Sequence, residues 1–428
     1  MWGKQNAYSV TNMMETDVTV IGGGPAGLAA ALKASENAQV ILLERGRELG
    51  GILPQCIHQG FGNFVFKKML TGPEFSQYFI DKVRQSNIVV KTETTVLEIY
   101  KNKRIIATNS AEGILEIQTK AIVLSMGCRE RTRSQILVPG TRPAGVYTAG
   151  TSQHLINIDG IMPGKKFVIL GSGDVGLIMA RRFTLEGGEV EGVYEIMPQP
   201  GGLTRNIVQC LDDYNIPLFL SHTVTNIMGR RRLEGVTVAK VDESMKPLIG
   251  TEQFIPCDCL VLAVGLIPEN ELSKQIGLVI DDRTDGPVVD ERMETSVSGI
   301  FACGNVVHVH DLVDDVTVVA EIAGENAAKY VREHLEKKGK IQTVAGENVR
   351  YVVPQFLKGG WSDSVTLYFR VLNEKRGATV IISCGKKTIL ERNEKIVKPP
   401  EMVKVVLSEE ALNSLVQNEL RVDVRCGK

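Results

Sequence analysis

No two of the eight cysteines stand at CxxC or CxxxxC spacing. Positions 56, 128, 210, 257, 259, 303, 384 and 426 are scattered, which excludes a disulfide framework and leaves no cysteine run of the iron–sulfur type. An excess of charge is also missing: 49 basic residues face 50 acidic ones, a net charge of −1. That balance offers no field to nucleic acid or to an anionic membrane. The first 16 residues are polar, lack the apolar segment of a secretory signal, and read as a loose arm, with Met13 or Met14 as alternative starts. The apolar stretch Val18 to Ala34 is too short and too rich in glycine to span a membrane. Without an export signal, the cysteine usage points to a reducing cytoplasm. At 428 residues the chain has room for two or three domains.

What is present is organised around residues 17–31. The β-branched run Asp17–Ile21 reads as a buried strand, Gly22, Gly24 and Gly27 supply a GxGxxG turn with Pro25 and Ala26 inside it, and small residues open a helix. Gly22 allows the tight turn, Gly24 admits a pyrophosphate to the backbone, and Gly27 lets helix and strand pack closely. The uncapped helix start favours the phosphates. A second strand, Val40–Leu43, ends in Glu44 and Arg45. Glu44 lies 22 residues after Gly22, where a carboxylate meets a ribose 2′-OH.

The same pattern returns once. Lys166–Leu170 reads as a strand, Gly171, Gly173 and Gly176 form a second turn containing Asp174 and Val175, a helix follows through Leu185, and Glu195 closes the next strand. Two such units mean two dinucleotides. Between them come a helix from Pro73, paired strands at Val96–Ala107 and Gly113–Gln118, a buried strand Ala121 to Gly127, and a Pro/Gly-rich crossing at 138–150. Beyond the second unit, Thr295–Asn305 and a long helix from Val313 to about Glu336 return the chain to the first domain. Strands and a short helix at Ser408–Val416 then make a small β-rich tail. The expected class is α/β, with two Rossmann-like domains. The arm is 1–16, the first domain 17–140 with 280–340, the inserted one 141–279, and the tail 341–428.

Two such units, with the run Thr-Ser-x-x-Gly-Ile-Phe-Ala-x-Gly ending at Gly304, resemble the pyridine nucleotide–disulfide oxidoreductase superfamily over roughly residues 15–340. The resemblance implies FAD in the first site, held by Gly22, Gly24, Gly27, Glu44 and the loop at Gly51, with Gly127, Gly304 and Asn305 beside it. It implies NAD(H) in the second, held by Gly171, Gly173, Gly176 and Glu195. Family members usually carry Asp where this chain has Asn305, and reductases of the family carry a dithiol that this chain lacks. Gly127–Thr132 with the Pro139–Gly150 segment is similar to the flavoprotein subunits of multi-subunit dehydrogenases and oxidases: sarcosine oxidase α, opine and hydrogen cyanide synthase subunits, and dye-linked proline dehydrogenase. Residues 51–62 and 304–311 most resemble a flavoprotein accompanying glycerol-3-phosphate dehydrogenases. That implies an oligomer, an electron-transfer role beside a substrate-oxidising flavoprotein subunit, and a small iron–sulfur or cysteine-containing protein as a further partner.

No arginine follows Glu195, so NADH is expected over NADPH. Cys56 and His58, in the loop expected to face the flavin, are the candidate catalytic pair. His58 either relays a proton or only ties the loop backbone. His308, His310 and Asp311 are placed near the flavin's pyrimidine edge, and too few ligands accompany them to make a metal site. Cys257 and Cys259 read as buried residues on one strand face. Arg129, Arg131 and Arg133 are either a solvated turn or an anion contact. The leading expectation is an FAD-dependent oxidoreductase exchanging hydride with NAD(H). The alternatives are a stand-alone NADH oxidase or NADH:acceptor reductase, and a non-catalytic FAD-binding assembly protein.

Overall fold

The computed structural model describes residues 13–333, 341–359, 361 and 363–426. Near-continuous apolar runs at 18–21, 40–43 and 121–124 leave these segments with almost no polar face, and they become the buried centre of a largely parallel sheet. Its strands run Val89–Lys91, Val40–Leu43, Met13–Ile21, Gly113–Leu124, Arg104–Asn109, Thr95–Ile99, with Ile300–Ala302 paired to residues 122–124. The first four neighbours are parallel and the last two antiparallel. Helices Pro25–Ser35 and Val313–Arg332 cross so tightly that a side chain on Gly324 would overlap Ala30 O.

The inserted domain repeats this scheme with five parallel strands ordered Val146–Thr148, Cys259–Leu262, Lys166–Leu170, Glu189–Glu195, Leu218–Leu220. An antiparallel sheet of His222–Gly229, Leu233–Lys240 and Gln253–Pro256 accompanies it. The α/β class with two Rossmann-like sheets and a β-rich tail is thus observed.

Several boundaries differ from the sequence reading. The first strand begins at Met13, paired with Glu116, so residues 13–16 of the expected arm are sheet; residues 1–12 lie outside the described residues. Val96–Ala107 doubles back at Lys103, whose φ is 64°, to give two strands. Gly113–Leu124 is one continuous strand. The long helix stops at Arg332, because Glu333 is extended; residues 334–336 of the expected helix are outside the described set. Cys257 and Cys259 do not share a face. Cys257 joins the core around Val224 and Val236, and Cys259 the one around Phe167 and Leu177.

The chain forms two compact units. Among the described residues, one holds those up to Pro54, Gln59–Cys128 and those from Pro268 on; the other holds Gln55–His58 and Arg129–Ile267. The crossings fall at 128/129 and 267/268, where the sequence suggests 140/141 and 279/280. Arg133 donates to Val138 O, Gly140 O and Thr141 O, and Gly140 and Ala144 bridge to Ile227 and Arg232, which draws the Pro/Gly-rich segment into the second unit. Arg133 therefore ties the backbone of this segment. On the other side, Ile99 N donates to Gln275 Oε1 at 3.0 Å, holding 268–279 to the first unit.

The tail has a core of its own between two sheets, built on Leu367, Phe369, Val380, Ile382, Leu420 and Val422. Ile341–Ala345 and Lys387–Val397 are strands of this tail, and Ile341–Ala345 runs parallel to Glu419–Cys426. The short helix is Glu409–Asn413, with Ser408 Oγ accepting from Ala411 N. Lys358 Nζ lies 2.6 Å from both Asp290 and Glu294, and Gln355 N donates to Val289 O at 3.0 Å, so the tail is stitched to the first domain. Among the described residues no helix is long and apolar enough to cross a membrane.

Candidate functional site

The first glycine turn leaves an open cradle. Gly22 sits at φ +104°, where a Cβ would lie 2.5 Å from Ser125 O, and a Cβ on Gly27 would overlap Gly22 O. At Gly24 a Cβ would meet only Gly51 Cα, at 3.8 Å. The helix Pro25–Ser35 begins there with no side-chain cap and no acid in its first turn, so its N–H groups and positive dipole end have no competing anion. Glu44 is fixed beside the turn: Gly23 N donates to one carboxylate oxygen and Gly46 N to the other, each at 2.6 Å. Each oxygen keeps a lone pair for a ribose hydroxyl. A pyrophosphate at Gly24 and a ribose at Glu44 fit these residues. Arg45 is exposed next to Glu44, and Gly127, at φ +71°, has nothing within 4 Å of its would-be side chain.

Gly304, at φ +74°, lies between the two helix starts. A Cβ there would be 2.9 Å from Ala26 Cβ and 3.3 Å from Val316 Cγ1. Asn305 Oδ1 accepts from His310 N at 3.0 Å and Nδ2 donates to Cys128 Sγ at 3.6 Å. An aspartate would keep the first bond and lose the donor of the second, which gives the amide a structural reason.

The second turn repeats the first. Gly171 takes φ +97°, and a Cβ on Gly176 would lie 2.8 Å from Gly171 O. Gly173 starts the helix Asp174–Leu185 with only Ala263 O near its would-be side chain, at 3.8 Å. Glu195, 7% exposed, receives Ser172 N at 2.8 Å and Ser172 Oγ at 2.6 Å on one oxygen and Met197 N at 3.0 Å on the other. Asp174 turns its carboxylate to Leu203 N and Asn206 Nδ2, so its side chain positions that loop and only its backbone faces the cradle. Val175 is 36% exposed beside it. The sequence reading missed Gly201 and Gly202. They stand six and seven residues after Glu195, as Gly50 and Gly51 stand after Glu44, and Gly201 N donates to Ser172 Oγ while Gly50 N donates to Gly23 O. That repeated spacing was the available signal.

Cys56 and His58 fall in segment 55–58, which packs within the second unit rather than with the glycines of the first turn. There Gln55 Nε2 donates to Gly150 O and Gln153 Oε1, and Cys56 Sγ donates to Gln153 Oε1 at 3.7 Å. Burial pushes the Cys56 thiol up to about 12, which disfavours the thiolate a nucleophile needs. Cys56→Ser is therefore expected to change the rate of flavin reduction by NADH by no more than about twofold in stopped-flow absorbance. His58 is half-buried in the same segment.

His308 and His310 lie with ring centroids 4.1 Å apart and planes tilted by 37°, each 5.9 Å from the Tyr368 ring of the tail. His308 Nδ1 and both His310 nitrogens are buried with no hydrogen-bond partner. Burial first, then neighbouring charge, holds both far below the usual histidine range, His310 down to about 3. In the unfolded chain these rings titrate near pH ~6.5 and take up protons that the folded chain refuses. Stability is whole above that pH. It falls as the pH drops below it, by up to about 1.4 kcal/mol per pH unit per ring. Urea unfolding at pH 7.5, 6.0 and 5.0 is expected to show this slope, and His310→Phe to flatten it. Among the described residues no three His, Cys, Asp or Glu are arranged to hold a metal.

Two open glycine cradles, each with a strand-end carboxylate pinned by backbone N–H groups, define a two-dinucleotide oxidoreductase. The chain belongs to the pyridine nucleotide-disulphide oxidoreductase family, whose model matches residues 16–318. This is a family of FAD-dependent oxidoreductases acting on NAD(P)H. One of the opine oxidase subunits of Agrobacterium tumefaciens (strain Ach5) is 24% identical over 437 residues, covering 96% of this chain and 82% of that one. An NADH oxidase of Methanocaldococcus jannaschii is 26% identical, covering 79% and 70%. In fold, the crystal structure of T. acidophilum thioredoxin reductase matches with a TM-score of 0.62 at 23% identity, over 74% of this chain and 99% of that one.

Proposed function

We propose that the chain binds FAD at Gly22–Gly27 and Glu44, binds NADH at Gly171–Gly176 and Glu195, and exchanges hydride between them in the cytoplasm. The observation that carries this is the pair of matched cradles without a nearby dithiol. A bound flavin supplies the hydride chemistry; the chain's residues bind, orient and tune. Both helix starts hold phosphate, both glutamates hold ribose, and the Glu195 carboxylate repels a 2′-phosphate.

On this reading the chain is the electron-transfer subunit of a multi-subunit dehydrogenase, with glycerol 3-phosphate as the partner's substrate. Support comes from the opine oxidase relative, which covers 96% of this chain, whereas the T. acidophilum thioredoxin reductase structure covers 74%. The substrate rests on the resemblance of residues 51–62 and 304–311 alone. The NADH oxidase relative favours a second reading, a stand-alone oxidase. Oxygen uptake by the purified chain with NADH separates the two. Slow uptake, with a second flavoprotein co-purifying from the native host, supports the electron-transfer role; fast uptake by the isolated chain overturns it.

A further inference from the structure

Three carboxylates crowd the start of the long helix Val313–Arg332: Asp311, Asp314 and Asp315. Asp314 is satisfied within the first domain, accepting from Gly62 N at 3.1 Å and from Phe64 N and Val65 N at 2.9 Å. The other two turn to the tail. Arg370, in the strand Val365–Val371, pairs with Asp311 and also donates to Val309 O at 3.2 Å, while Met402 N donates to Asp311 at 2.6 Å. Lys404, in the strand Val403–Leu407, places Nζ 2.8 Å from Asp315 Oδ1 and 5.2 Å over the Phe64 ring. Asp315 is 12% exposed by side chain and Asp311 16%. Each is therefore an anion that needs its partner.

The place matters more than the pairs themselves. Gly304 is wedged between Ala26, in the first turn of Pro25–Ser35, and Val316, one residue beyond Asp315. The two helix starts thus converge. Asp315 sits in the first turn of one, and the open cradle at Gly24 lies at the other.

We propose that the tail domain sets the charge at the flavin's end of the first site: Lys404 neutralises Asp315, so that the first turn of Val313–Arg332 faces a bound flavin with the Asp314 carboxylate alone uncompensated by a cation instead of both. This rests on the FAD reading above. A flavin bound there would gain one negative charge on accepting a hydride, the nicotinamide leaving as its cation. A bare Asp315 carboxylate close by disfavours that product, and the Lys404 ammonium offsets it. Lys404 is a positioning residue, acting through Asp315.

The test compares Lys404→Met, Asp315→Asn and the double variant, reading FAD content and the two-electron reduction potential against a reference dye. Lys404→Met is expected to shift the oxidised-to-reduced ratio about tenfold toward oxidised, or about 30 mV downward for a two-electron couple. Asp315→Asn is expected to shift it upward, and the double variant to return to within about threefold of wild type. Both single variants leaving the potential unmoved, or moving it the same way, overturns the inference. If Lys404→Met fails to fold, Asp315→Asn carries the test alone, since the cation it leaves unpaired is 35% exposed by side chain, whereas Lys404→Met strands a carboxylate that is 12% exposed. A wild-type chain that retains FAD with unmoved variant potentials overturns this inference only. A wild-type chain that takes up no FAD overturns the FAD reading, and this inference with it.

Discussion

Gly24→Asp is expected to give a folded, colourless protein. Gly24 has φ −75° and ψ −174°, extended backbone open to any residue, and its would-be side chain meets only Gly51 Cα at 3.8 Å. Nothing in the packing therefore resists the change. The new carboxylate would stand at the uncapped start of Pro25–Ser35, where it satisfies the helix N–H groups itself and repels a pyrophosphate. Placing like charges in contact costs several kcal/mol, and about 4 kcal/mol is about a thousandfold in affinity. Flavin absorbance per purified chain and a thermal melt separate the two effects. The expected result is loss of the yellow colour with a melt close to wild type. Gly27→Ala is the contrast: its Cβ overlaps Gly22 O, so it is expected to lose flavin and fold together.

Glu195→Gln is the second change with a large expected effect. One oxygen of Glu195 accepts from both Ser172 N and Ser172 Oγ, and the other accepts from Met197 N. A glutamine holds only one of these arrangements. With its oxygen at Ser172, its NH₂ faces the Met197 N–H, two donors against each other in a buried place. NADH loses the anionic acceptor for its 2′-OH, and NADPH loses a repelling charge. The expected outcome is an NADH dissociation constant raised about 10- to 100-fold, with NADH-over-NADPH preference reduced by a similar factor. Stopped-flow flavin reduction across a range of both nucleotides measures the two numbers. An unchanged preference would contradict the role given to Glu195.

How much of this was legible depends on how local the cause is. The glycine turns and their glutamates were readable because spacing alone dictates them: Gly22 to Glu44 and Gly171 to Glu195 are set by one strand, one helix and one strand. The central strands were readable from their continuous apolar runs. What escaped was non-local, or local with no glycine or proline to mark it. The hairpin inside Val96–Ala107 hides its turn at Lys103, a lysine in left-handed backbone that carries no glycine signal. Asp174 reads as a phosphate neighbour, but its carboxylate is claimed by Leu203 and Asn206, about thirty residues on. Arg370 and Lys404 are ordinary strand residues until the fold sets them against Asp311 and Asp315. The Cys56 loop is the sharpest case, since a Gly-Gly start fixes the first residues at the Gly24 turn while 55–58 pack into the second unit.

The hydride path between NADH and flavin is the central claim, and an anaerobic titration of the yellow protein with NADH, and separately with NADPH, tests it most directly. Stoichiometric bleaching of the flavin by NADH, and far less by NADPH, is the expected result. Bound flavin that neither nucleotide bleaches would contradict the claim and leave a partner protein as the electron source.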